Sequence, residues 1–203
     1  MIGIIDYGMG NLASVKNACD HLGFESEIIS DAKKLETCDK LILPGVGAFK
    51  DSMKNIHEKG LYETIVSLVE KGKPLLGICL GMQVLFEAGY EDGYTKGFGF
   101  LKGSIQKMEG KDLRIPQIGW NRLEKNQAHP ILEQFDHNPY VYYVHSYRAV
   151  DYEENDLLAY SIYGDLKVVG LVCHKNVMGA QFHPEKSGED GLQILRYFME
   201  DFQ

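Results

Sequence analysis

The chain has 203 residues, 44% hydrophobic and 25% charged, which is enough for one well-buried soluble domain, 1–203, and too short for two. Its formal charge of −8, from 21 basic and 29 acidic residues, includes no Lys/Arg block, so a nucleic-acid partner is not expected. The N-terminal Met1-Ile2-Gly3-Ile4-Ile5-Asp6 lacks the basic-then-apolar pattern of a signal peptide, and no apolar run approaches membrane-spanning length.

In chain order, Ile2–Asp6 is the first short apolar run, followed by the loop Tyr7-Gly8-Met9-Gly10-Asn11. Leu12, Val15, Cys19 and Leu22 then recur at helical spacing and predict a helix with one face on a sheet. Glu27–Ser30 and Lys40–Leu43 are the next predicted strands, the second ended by Pro44-Gly45-Val46-Gly47. Leu61, Ile65, Leu68 and Val69 mark another amphipathic helix, stopped near Gly72 and Pro74. Leu75–Ile78 predicts a buried strand and Leu80–Glu87 the helix after it. Short apolar strands alternating with helices indicate a parallel sheet covered on both faces.

Beyond this point Gly89, Gly93, Gly97, Gly99 and Gly103 interrupt the chain. The strand-like runs Tyr140–Val144, Leu157–Ile162, Val168–Cys173 and Val177–Phe182 follow closely enough for antiparallel pairing. A final helix carries Leu192, Leu195, Met199 and Phe202 on one face, with Ser187 and Asp190 spaced as a capping box. The expected fold is α/β: a mostly parallel central sheet flanked by helices, with an antiparallel C-terminal portion.

Cys19, Cys38, Cys79 and Cys173 form no Cys-x-x-Cys pair, which predicts reduced thiols in a cytosol rather than a zinc site or a disulfide framework. Of the four, Cys79 stands apart. Gly77-Ile78-Cys79-Leu80-Gly81 lies between a predicted strand and a predicted helix and has the form Gly-x-nucleophile-x-Gly. In such a turn the glycines allow close backbone approach, and the thiol sits at a helix N-terminus, where positive partial charge favours thiolate. The Leu80 amide is then free to meet an oxyanion. Alone, the motif fits a buried structural cysteine equally well. Gln181-Phe182-His183-Pro184-Glu185 shifts the balance, because His183 is placed to act as general base with Glu185 orienting its ring. His145 is the other candidate base, whereas His21, His57, His129, His137 and His174 lie in helical or polar contexts.

Together these segments resemble the class I (triad) glutamine amidotransferases, which have a flavodoxin-like fold. Within that family they resemble the glutaminase subunits of imidazole glycerol phosphate synthases. The likeness also covers Asp6–Asn11, Pro44–Phe49, Gly119-Trp120-Asn121 and Tyr143-Val144-His145-Ser146-Tyr147. It implies that Cys79 attacks the side-chain carbonyl of glutamine, that His183 protonates the departing nitrogen, and that a thioester is then hydrolysed. Oxyanion donors would come from Leu80 and the Val46-Gly47 segment, whose flanking glycines permit a peptide flip. Gly45, Gln83, Glu91, Ser146 and Tyr147 would hold glutamine, and no cofactor or metal is expected.

The resemblance further implies a separate (β/α)8-barrel synthase as heterodimer partner, contacted through Asn11, Trp120 and Lys186. That partner joins ammonia to a nucleotide in histidine biosynthesis, giving imidazole glycerol phosphate and an aminoimidazole carboxamide ribonucleotide. Gln117 departs from the His that many relatives carry, at a position expected near the interface. Paralogues feeding sugar modification, glutaminases for anthranilate or pyridoxal phosphate synthesis, a dead scaffold copy and a stand-alone cysteine hydrolase stay open as alternatives.

Overall fold

The first apolar runs become parallel strands because helical crossovers return the chain to the same end of the sheet. A computed structural model describes all 203 residues. Its first half runs β1 (Ile2–Ile5), α1 (Leu12–His21), β2 (Ser26–Ile29), α2 (Ala32–Leu35), β3 (Lys40–Gly45), α3 (Phe49–Glu58), α4 (Tyr62–Glu70) and β4 (Leu75–Cys79). There follow α5 (Leu80–Gln83), β5 (Phe86–Gly89), β6 (Thr95–Lys96), β7 (Leu101–Lys107), β8 (Gln117–Arg122), β9 (Glu124–Lys125) and α6 (Pro130–Glu133). The last part comprises β10 (Tyr140–His145), β11 (Tyr147–Val150), β12 (Leu157–Tyr163), β13 (Leu166–His174), β14 (Val177–Ala180) and α7 (Gly188–Glu200).

The main sheet has the order β2-β1-β3-β4-β14-β13-β12-β9. Pairing is parallel from β2 through β14 and antiparallel from there to β9. The expected architecture is therefore present, and β14 joins its two parts by pairing parallel to β4. Alternation along the strands divides the apolar residues between two cores. Ile2, Ile4, Leu76 and Ile78 face α1 and α7, whereas Ile5, Leu41, Leu43 and Leu75 face α3 and α4. No helix is long and apolar enough to cross a membrane.

Four expectations are corrected. The helix expected over Leu80–Glu87 ends at Gln83, and Phe86–Gly89 is a strand. The carbonyls of Val84, Leu85 and Phe86 accept from Phe98, Leu101 and Gly99 at 2.8, 3.1 and 3.1 Å, so distant chain takes the bonds a longer helix would have made. The glycine-rich stretch, expected as interruptions, instead contributes to a second sheet, β11-β7-β5-β6. Tyr140–His145 leaves the main sheet and pairs only with β8, as a two-stranded ribbon. The capping box is also absent. The Ser187 hydroxyl donates to the His183 carbonyl at 2.6 Å and accepts from the Tyr142 amide at 2.9 Å, while Asp190 accepts from the Tyr140 amide at 2.8 Å. Both side chains brace the ribbon rather than the helix.

The turn between β4 and α5 depends on two glycines. A β-carbon on Gly81 would run into the Leu43 carbonyl oxygen, and one on Gly77 would lie 2.6 Å from the Gly81 carbonyl oxygen. Gly81→Ala is expected to destabilise the fold by about 2 kcal/mol or more, by overpacking against backbone that has no room to move. Gly23→Ala is the control: a β-carbon there meets nothing within 4 Å at φ +82°, so only left-handed strain of about 1 kcal/mol applies. Urea unfolding of the two variants should show the larger midpoint loss for Gly81→Ala.

Candidate functional site

The carboxyl ends of β3, β4 and β14 lie side by side, with Gly45 opposite Cys79 and Ala180 opposite Ile78. Loops diverge from strand ends in an open parallel sheet, which leaves a crevice there. A cavity of about 330 Å³ occupies it. Val46, Gly47, Cys79, Leu80, Gln83 and His183 line this cavity, together with Glu91, Ser146 and Tyr147. Gly45 and Glu185 stand behind its wall, and Asn11, Trp120 and Lys186 lie outside it.

Cys79 has φ 55° and ψ −110°, a left-handed conformation that costs a β-carbon-bearing residue about 1–3 kcal/mol. The turn directs its side chain toward the cavity. Its sulfur lies 3.8 Å from the Val144 carbonyl oxygen and 3.9 Å from Gln181 Nε2. A helix of a single turn carries little macrodipole, so α5 is a weaker source of positive charge than its expected length implied. The stronger source is His183.

The His183 ring donates from Nδ1 to Glu185 Oε1 at 2.8 Å, and the two side chains are only 3% and 1% exposed. Burial alone would lower the imidazole pKa, but the Cys79 sulfur and the Glu185 carboxylate raise it and prevail. Both neighbours thus favour the protonated ring over the neutral one. Its Nε2 is buried with no hydrogen-bond partner, which leaves that N–H available for the sulfur or for a ligand. Thiol, imidazole and carboxylate thus stand in sequence, the arrangement that nucleophilic catalysis requires.

His145 behaves in the opposite way. Burial drives its pKa down to about 4, with a smaller push from His183. Its Nδ1 lies 2.8 Å from the Tyr147 carbonyl oxygen, which fixes the single proton of the neutral ring on that nitrogen. The atom 3.1 Å from Nε2 is Gln117 Oε1. A neutral ring protonated at Nδ1 offers only a lone pair there, so this pairing requires the carboxamide flipped, with its N–H₂ toward the ring. This ring is no base for Cys79. Gln117 belongs to the ribbon by its backbone, but its side chain is 2% exposed and reaches the cavity wall through His145.

Gln83 Nε2 donates to the Tyr147 carbonyl and to Gln181 Oε1, both at 3.0 Å. Only its oxygen remains for a ligand. One oxygen of Glu91 accepts from the Phe49 amide at the start of α3, at 2.8 Å. Sequence reasoning assigned no role to Gln181, which is fully buried between Gln83 and Cys79. A long amide in an otherwise apolar strand, two residues before His183, was the available signal. No group of three or more His, Cys, Asp or Glu side chains is arranged to hold a metal ion.

The outward face of the ribbon carries Ile118, Trp120 and Arg122 on β8 opposite Val144, Tyr142 and Tyr140 on β10. Ile118, Trp120, Tyr140 and Val144 are 62, 56, 54 and 36% exposed. Trp120 meets Tyr142 edge-on at 6.0 Å. The turn bearing Lys186 lies beside it, since a β-carbon on Gly188 would come within 3.9 Å of the Trp120 ring. α1, which Asn11 precedes, packs against the same turn.

A family model described as "Glutamine amidotransferase class-I" matches residues 3–202. The chain belongs to this family. Among similar proteins is the "Imidazole glycerol phosphate synthase subunit HisH" of Oceanobacillus iheyensis, 48% identical over 98% of this chain and 98% of its own. A protein of the same description from Caldanaerobacter subterraneus subsp. tengcongensis is 46% identical with the same coverages. Among solved structures, one described as a glutamine amidotransferase aligns with a TM-score of 0.78 at 23% identity, covering 98% of this chain and 97% of that one. The PurLQS structure from Thermotoga maritima gives 0.76 at 21% identity, with coverages of 98% and 96%. These two share the fold. As a class I glutamine amidotransferase, the protein is an enzyme that acts on glutamine.

The neutral His145 has a consequence for acid stability. Its folded pKa of about 4 lies below the ordinary histidine value of 6.5, so between those pH values the unfolded chain binds a proton that the folded chain does not. Stability should fall by roughly 3 kcal/mol from this group as pH drops from 6.5 to 4. Urea unfolding from pH 7 to 4 should show a flatter profile for His145→Gln than for the wild type. Parallel profiles would remove His145 as the cause.

Proposed function

We propose that this chain is the glutaminase subunit of an imidazole glycerol phosphate synthase, supplying ammonia to a separate (β/α)8-barrel subunit. The single observation that carries the reading is the Cys79–His183–Glu185 alignment at the mouth of a cavity lined by Val46, Gly47, Gln83 and Glu91. Support for the particular synthase comes from relatives 46–48% identical over nearly the whole chain. In this reading residues 1–203 form one catalytic domain working in the cytosol.

Cys79 attacks the glutamine δ-carbonyl as a thiolate, and Leu80 and the Val46-Gly47 segment donate to the oxyanion. His183 passes its Nε2 proton to the departing nitrogen, so ammonia leaves and a γ-glutamyl thioester remains. The now neutral His183 takes a proton from water, which attacks the thioester and releases glutamate. Glu185 keeps the ring in the required orientation throughout. The Gln83 oxygen suits the α-ammonium of glutamine, because the Gln83 nitrogen is already committed to protein acceptors. Gly45, Glu91, Ser146 and Tyr147 complete the glutamine site.

Free ammonia becomes ammonium in neutral water and ceases to be a nucleophile, so the product must be handed over without meeting solvent. An apolar face next to the cavity meets that requirement, and Val144 belongs to both. Asn11, Trp120 and Lys186 flank or lie on this face and form the proposed contact with the barrel.

Three experiments test the reading. The isolated protein should hydrolyse glutamine slowly, and adding the barrel subunit with its nucleotide ligand should raise the rate about 10²–10³-fold, the scale of completing an oxyanion hole. Cys79→Ala should abolish that activity while ammonia-fed synthesis continues; hydrolysis at the original rate in this variant would end the assignment. Trp120→Ala, at the centre of the exposed face, should weaken barrel binding by at least about tenfold, as aromatic anchors do. Titration calorimetry would measure it, and unchanged affinity would place the contact elsewhere.

A further inference from the structure

One buried polar group near the cavity has no assigned role. The Tyr7 hydroxyl follows β1, is fully buried, and has no hydrogen-bond partner. Leaving such a group unpaired costs about 1–3 kcal/mol. Ser52 is its neighbour and lowers its pKa somewhat, but the Ser52 hydroxyl points at the Met9 sulfur, 3.8 Å away. Burial raises the phenol pKa to about 12, and Cys79 is close enough to add to that rise. Tyr7 is therefore a donor at every working pH.

Its position is specific. A β-carbon built on Gly45 would lie 2.6 Å from the Tyr7 oxygen, so the hydroxyl sits directly against the first residue of the Gly45-Val46-Gly47 segment. Glycine is what leaves it room. Neither the Val46 nor the Gly47 amide donates to a protein acceptor, and Gly47 already has φ +102°. Turning a peptide so that its N–H faces an oxyanion sends its carbonyl the opposite way, into the protein. A buried carbonyl there needs a donor. The Tyr7 hydroxyl is an unpaired donor directly beside this segment.

We propose that Tyr7 is a positioning residue for the oxyanion segment: its hydroxyl stays unbonded at rest and donates to a carbonyl of Gly45 or Val46 when an amide turns toward the substrate. The inference rests on the reading of this segment as an oxyanion donor. It accounts for the orphaned hydroxyl and for the glycine at position 45 by one cause.

Tyr7→Phe keeps the ring and removes only the oxygen. The assay uses the complex with the barrel subunit and its nucleotide ligand, with thermal unfolding of the isolated chain alongside. Expected are a fall in glutamine-dependent kcat of about tenfold, the scale of one lost hydrogen bond, and a KM for glutamine within about twofold of wild type. Ammonia-fed synthesis should be unchanged, and Tm should be equal or higher because an unpaired buried hydroxyl is gone. A slower enzyme that is no less stable is an outcome that a purely structural role does not give. Unchanged kcat in Tyr7→Phe, or a kcat loss accompanied by a lower Tm, would overturn the proposal. If the wild-type complex itself fails to stimulate glutamine hydrolysis, the functional reading fails and this inference falls with it. If stimulation is normal and Tyr7→Phe matches it, only the role of Tyr7 is refuted.

Discussion

The site depends on a contact that no side chain would survive: the Gly81 backbone packed against the Leu43 carbonyl at the end of β3. That contact brings α5 down onto the strand ends and leaves Cys79 nowhere to go except the left-handed region. The strain is modest beside the two large apolar cores that hold β3, β4 and β14 in register. Because β3 and α5 meet there, the Gly45–Gly47 segment and the Leu80 amide arrive on the same side of the sulfur. Nothing in either loop achieves this alone.

Two buried imidazoles in the same cavity wall have their pKa values pushed in opposite directions. His183 is pushed up because a carboxylate and a sulfur outweigh its burial. His145 is pushed down because burial outweighs the one backbone carbonyl that favours its charged form, and no carboxylate is there to oppose it. Two adjacent imidazoliums would repel each other and any developing positive charge. The neutral ring avoids that while still fixing the Tyr147 carbonyl, which also receives Gln83. A histidine in place of Gln117 would offer Nε2 of His145 a different donor at the same point, so this departure bears on the cavity wall as well as on the ribbon.

Much of the fold was legible because its parallel strands are continuous apolar runs, and the elbow was legible because steric demand dictates glycine on both sides of Cys79. The short α5 was not: Leu80–Glu87 has a helical pattern, and only bonds from Phe98 to Leu101 divert it. Long-range partners of this kind leave no local trace. The same reason explains Ser187 and Asp190, whose spacing matches a helix cap but whose side chains serve the ribbon. Cys79, His183 and Glu185 were found because each lies in a compact motif. Gln181 and the hydroxyl of Tyr7 were not, and Gln117 was read only as an interface position, since the importance of a buried polar atom shows only when its neighbours are known.

The ribbon has only two strands, and its second edge is tied to the His183 turn. The His183 amide donates to the Tyr142 carbonyl at 2.9 Å, and Ser187 bridges the Tyr142 amide and the His183 carbonyl. Tyr142 also supports Trp120 on the outer face. Val141 and Tyr143 on its inner face are buried in the main core, so the ribbon, its outer face and the His183 turn are held as one packed unit. A load on the outer face therefore has a short hydrogen-bonded route to the imidazole. That route is two peptide groups and one hydroxyl long.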